Sequence, residues 1–112
     1  MVQYSPNVDR AFAALGDPTR RAVLERLGSG RATISELAEP FGMTLTGMKK
    51  HIRVLEDAGL VTTQKVGRAR VCRPGPRQLD DASEWLRRYR ELVLGRLDRF
   101  AELLEREKGT DR

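Results

Sequence analysis

A chain of 112 residues suits one domain and leaves little room for a second. Its formal charge of +5 and pI near 10.0 point to a polyanionic partner. No apolar run approaches the ~20 residues of a membrane span, no basic-then-apolar leader opens the chain, and the single cysteine, Cys72, cannot close an intrachain disulfide; the expectation is a soluble cytoplasmic protein.

Val8, Ala11, Phe12 and Leu15 predict a first helix over 8–15, closed by Gly16. Asp17-Pro18 is a capping acid followed by a proline at the first helical position, where the missing N–H costs nothing. The helix it starts carries Ala22, Val23, Leu24 and Leu27 and stops at Gly28-Ser29-Gly30. Thr33-Ile34-Ser35-Glu36 is a capping box for a short third helix, ended by Pro40 and Gly42. Thr44 caps a fourth helix to about Ala58, with Gly59 beyond it. Leu60 to Val66 and Ala69 to Arg73 flank Gly67-Arg68 as a hairpin, broken by Pro74-Gly75-Pro76. A long amphipathic helix follows over 78–107, with apolar residues spaced by three and four, and the tail 108–112 is expected to fray. No repeat or low-complexity tract interrupts this order.

Two short helices around Phe41-Gly42-Met43, then a hairpin, is the order of a winged helix-turn-helix. The fold class is therefore mainly α with a small β-hairpin wing: five helices, the last one long. The helix-turn-helix spans 33–59 and the wing 60–74 of a single domain.

Charge is segregated along this order. Between Thr44 and Arg77 stand eight of the 21 basic residues and only two of the 16 acids, Glu56 and Asp57. On the fourth helix, Leu45, Met48, Ile52 and Leu55 fall on one face as a core stripe. The opposite face holds Thr46, Gly47, Lys50, Arg53, Val54 and Asp57, with Lys49 and His51 on its borders. Cations donate to phosphates or guanine edges, and threonine bonds either or meets a thymine methyl. The residues expected to face double-stranded DNA are Thr44, Thr46, Gly47, Lys49, Lys50 and Arg53, joined by Lys65, Arg68 and Arg70 of the hairpin. Gly47 would let the backbone approach the duplex. The plainer alternatives are a solvated helix face and a charged edge that prevents sheet-to-sheet aggregation. The competing function is a protein–protein interaction module with an acidic partner, which would want apolar groups on that outer face, where only Val54 stands.

Other residues invite chemistry that the pattern does not support. His51 has no second histidine to share a metal with. Cys72 reads as a small buried side chain. Asp80, Asp81 and Glu84 suit a helix N-terminus better than a cation. Trp85 and Tyr89 stand one helical turn apart, as core or interface aromatics do. There is no phosphate-cradling glycine loop and no Ser/His/Asp order, so no catalytic residue, metal site or cofactor is assigned, and the chain is not expected to be an enzyme.

The stretch Phe12-Ala13-Ala14-Leu15-Gly16-Asp17-Pro18-Thr19-Arg20-Arg21 resembles the A-L-x-D-P-T-R-R opening of the ArsR/SmtB family of bacterial winged-helix repressors. Lys50 through Val61 resembles its H-L-x-V-L-x-x-A-G-L-V signature. The resemblance covers nearly the whole chain and implies a homodimer that binds operator DNA, usually as a repressor. It implies pairing through the first and last helices, here 8–15 and 78–107. Val8, Phe12, Trp85, Leu86, Tyr89, Leu92, Val93, Leu97 and Phe100 are the interface residues expected on them. Metal-sensing members carry cysteines in the third helix or histidines in the last; this chain has neither, and Glu84 to Tyr89 resembles a metal-free branch. Lys49 replaces the family's usual serine, which moves the expected contact from a base to a phosphate. No inducer is implied.

Overall fold

The computed structural model describes residues 6–75 and 77–110. Pro76 of the expected break, residues 1–5 and residues 111–112 of the expected tail lie outside these. The chain divides into two compact units, one ending at Ala82 and the other beginning at Ser83.

In the first unit, α1 (Pro6–Leu15) and α2 (Pro18–Leu27) are separated by Gly16 and Asp17. The Asp17 carboxylate accepts from the amides of Thr19 and Arg20, two donors that the helix start leaves without partners. A two-residue strand, β1 (Ala32–Thr33), leads into α3 (Ile34–Ala38). The capping box forms as the sequence predicts: Thr33 accepts from the Glu36 amide and Glu36 accepts from the Thr33 amide. A 3-10 turn over Glu39–Phe41 contains Pro40, and α4 (Leu45–Asp57) follows with Thr44 as its cap. β2 (Val61–Val66) and β3 (Ala69–Pro74) form the wing, and α5 starts at Arg77.

The sheet has the order β1-β3-β2, all antiparallel. The sequence predicts only the hairpin. The third strand is two residues long, too short for any periodicity, and it pairs Ala32 with Cys72 and Thr33 with Val71. It fastens the start of the helix-turn-helix to the wing's returning strand.

The core lies beneath α4. Met48, Ile52 and Leu55 of α4 pack in one cluster with Val23 and Leu27 of α2, Leu37 of α3, and Val61 and Cys72 of the sheet. Each such side chain, fully buried, contributes roughly 1.5–3 kcal/mol. Leu45 departs from the expected core stripe: it is 48% exposed. It is the first residue of α4, so its side chain lies beyond the layer that Met48 closes. Gly75 closes the wing's root. Its amide donates to the Leu60 carbonyl, and a Cβ there would sit 2.4 Å from the Gly59 carbonyl oxygen, so only glycine fits.

α5 (Arg77–Thr110) supplies the second unit. It extends the expected 78–107 helix at both ends, and residues 108–110 are helical where fraying was expected. Trp85 and Tyr89 stack with ring centroids 5.5 Å apart. Arg87 bridges Glu84 and Glu91, the i,i+3 and i,i+4 pairs that support an exposed helix by a few tenths of a kcal/mol each. Among the described residues, no helix is long and apolar enough to cross a membrane.

Candidate nucleic-acid interface

Burial of Met48, Ile52 and Leu55 fixes the rotation of α4. Thr46, Lys49, Lys50 and Arg53 are consequently exposed, as their positions on the helix predict. The Thr44 hydroxyl oxygen accepts from the Gly47 amide at 3.1 Å, so it caps the helix besides facing solvent. A Cβ at Gly47 would lie 3.3 Å from that oxygen. The cap therefore gives glycine a local reason that the sequence reading did not include.

The wing is a ladder of six pairs, from Val61 opposite Pro74 to Val66 opposite Ala69. Gly67 opens its two-residue turn at φ 62°, a conformation that glycine adopts without penalty. Pairing puts Thr63, Lys65, Arg70 and Cys72 on one face of the hairpin. Cys72 is buried there, so this face is the one turned to the core, and its outer residues continue beside α4.

Between α4 and the wing lies an open groove of about 790 Å³. Lys49 and Arg53 enter it from α4, and Lys65, Arg68 and Arg70 from the wing. Five cations from two elements thus converge on one concave surface, where fields of like sign add. Thr44, Thr46, Gly47 and Lys50 do not line the groove; Thr44, Thr46 and Lys50 are exposed and Gly47 is half-buried.

Sequence reasoning missed several groove residues. Thr33 and Ser35 reach it because β1 draws the start of α3 to the sheet. Leu45 is there, and with Val54 at 39% exposure it gives α4 a second exposed apolar group. Glu56, Asp57 and Thr63 line the groove as well. Thr63 donates to Glu56 Oε2 at 2.6 Å, and Arg70 Nη1 donates to Thr63 Oγ1 at 3.0 Å. The hairpin register would have found Thr63, which stands two residues from Lys65 on the same face.

His51, Cys72 and Glu84 each have a structural setting. His51 is half-buried against Arg20. The Cys72 thiol is buried, and that burial, aided by the charge of Glu56, pushes its pKa up to about 11. A thiol so protonated is a poor nucleophile. Glu84, held by Arg87, stays below the usual carboxylate range. Among the described residues, no group of three or more His, Cys, Asp or Glu side chains is placed to hold a metal.

Residues 15–64 match a family model described as a helix-turn-helix domain. The crystal structure of an ArsR family transcriptional regulator is 47% identical, superposes with a TM-score of 0.76, and is matched over 83% of this chain and 96% of its own. This chain belongs to the ArsR family of transcriptional regulators. ArsR-family regulators bind DNA through a winged helix-turn-helix and are not enzymes, and the order α3, α4, β2, β3 is that unit. A relative in Mycobacterium tuberculosis, the HTH-type transcriptional regulator Rv2034, is 40% identical over 68 residues; the match spans 61% of this chain and 64% of that one. The transcriptional repressor SdpR of Bacillus subtilis is 27% identical over 79 residues, spanning 70% of this ArsR-family chain and 88% of the repressor.

Proposed function

We propose that the chain is a homodimeric repressor that binds a specific operator and does not respond to metal. The observation that carries the reading is the convergence of Lys49, Arg53, Lys65, Arg68 and Arg70 on one groove between α4 and the wing. In this reading α4 enters the major groove, with Thr46, Lys50 and Arg53 toward base edges. Thr44, Gly47 and Lys49 lie along the phosphates, and Lys65, Arg68 and Arg70 follow the backbone or the minor groove. Repression is supported by the relative named as a repressor. The absence of cysteine from α3 and of histidine from α5 speaks against metal sensing.

Dimerisation rests on α5. The residues expected at its interface range from 41% exposed at Val93 to 68% at Leu92, a continuous apolar stripe that water solvates poorly. A second copy of the same helix is its natural cover. Val8 and Phe12 of α1, both half-buried, are the expected additions. A dimer would present two α4 helices about 34 Å apart, to half-sites one turn apart on a near-palindrome.

Selection from a random duplex library, followed by fluorescence anisotropy across several salt concentrations, tests this. A palindromic sequence preferred over a scrambled duplex by about a thousandfold is the expected result. Equal and steeply salt-dependent binding to both would make the chain a non-specific binder. Absence of binding at low salt would move the protein-interaction reading to first place.

A further inference from the structure

Two acids, Glu56 and Asp57, line the groove among its cations, and Glu56 has an unusual position. Glu56 stands in the last turn of α4, where it faces the wing, and a carboxylate there repels phosphate. Its contact explains its presence. Glu56 Oε2 accepts from the Thr63 hydroxyl at 2.6 Å, and Thr63 in turn accepts from Arg70 at 3.0 Å. The chain of bonds runs from α4 to β2 to β3. It crosses both wing strands and ends on a residue whose neighbours in the ladder lead directly to the tip: Arg70 pairs with Lys65, and Ala69 with Val66. A two-stranded hairpin is weakly stable alone, and β1 supports it only at Val71 and Cys72, near its root. The outer half of the wing has this bond chain as its tie to the recognition helix.

We propose that Glu56 and Thr63 are positioning residues that hold the outer wing at a fixed angle to α4, so that helix and wing engage one duplex together. The inference rests on the DNA-binding reading above. Glu56 works against binding as a charge and for it as an anchor. The short charged bond to a hydroxyl, itself bonded to a guanidinium, is the stronger kind of hydrogen bond. Arg70 carries this attachment besides its place with Lys65 and Arg68 along the duplex. Cys72 lies beneath the network, where the charges of Glu56 and Arg70 act on it in opposite directions.

Two pairs of variants separate anchor from charge. E56A and T63V break the bond chain; E56Q and T63S keep an acceptor and a hydroxyl in place. The duplex recovered by selection is titrated with each variant, and hydroxyl-radical footprints read the wing and the helix separately. Amide spectra confirm that each variant is folded. Repulsion alone predicts tighter binding by E56A. The anchoring role predicts the reverse: E56A and T63V bind about fivefold more weakly at 0.15 M salt, as loss of one phosphate contact gives, with a salt slope shallower by about one. Their wing protection fades while that of α4 persists, and E56Q and T63S restore both. Wild-type affinity and wing protection in E56A and T63V would overturn the proposal and leave operator binding standing. Failure of the wild-type protein to bind any duplex would overturn both.

Discussion

Arg20 Nη1 lies 3.4 Å from His51 Nδ1, joining the first turn of α2 to the middle of α4. The same guanidinium donates to the last carbonyls of α1, through Nε to Ala14 at 2.7 Å and through Nη2 to Ala13 at 3.2 Å. One side chain therefore fixes α1, α2 and α4 against each other. A guanidinium has no acceptor, so Nδ1 of His51 must accept, which puts the neutral ring's proton on Nε2. Imidazole nitrogen shifts measured by NMR should show that tautomer in the native protein. R20A, which strips all three contacts, should lower stability by about 2 kcal/mol in urea melts. H51A should cost less, since the α1 carbonyls keep their donor.

Lys50 and Arg53 should carry part of the protein's choice of sequence. The double variant K50A/R53A should bind the selected duplex about thirtyfold more weakly at 0.15 M salt, while its binding to a scrambled duplex changes far less. Wild-type affinity in this variant would sink the assignment of α4 as the recognition helix.

Cys72 should be inert while the protein is folded. Its ordinary value of 9.0 is pushed up to about 11 in the native state. A group that keeps its proton more tightly when folded disfavours the native state once the unfolded thiol ionises. The sign is that of a raised folded value: the contribution holds below pH 9.0 and is lost as pH rises from there toward about 11. A thiol-specific disulfide reagent at neutral pH should leave Cys72 unmodified in the native protein and label it at once in denaturant. Rapid labelling of the native protein would show that the thiol is accessible.

Two helix caps should make the protein acid-sensitive. Asp17 is held below its ordinary 3.8 chiefly by the Arg20 amide, and Glu36 below its 4.5 by the Thr33 amide and hydroxyl. Depressed carboxylates stabilise the fold above their unfolded values and cease to as pH falls through the folded ones. The melting temperature should therefore decline on acidification below about pH 4. D17N should flatten part of that decline, because its amide oxygen still caps α2 without titrating. An unchanged acid profile in D17N would remove Asp17 from the account.

Much of this was legible in the sequence because it is local. The i,i+4 recurrence of Met48 and Ile52 set the buried face of α4, Thr33 and Glu36 announced a capping box, and Gly67 marked the turn. What escaped depends on distant segments meeting. The strand at Ala32–Thr33 exists only because β3 pairs with it. Leu45 obeys the helical period yet stays exposed, since period says nothing of where the core ends. The sequence marks Arg70 as a cation toward DNA, and its bond to Thr63 needs the register of one strand against another.

The wing is an unbroken ladder closed by a two-residue turn. Its reach is therefore quantised. Inserting one residue pair beyond Thr63 would carry Lys65 and Arg70 to the opposite face, away from α4. Only a two-pair insertion, lengthening the wing by about 7 Å, would keep them on the same side. Fine adjustment of how this protein grips a duplex must then come from the identity of side chains at the tip, with length available only as a coarse step.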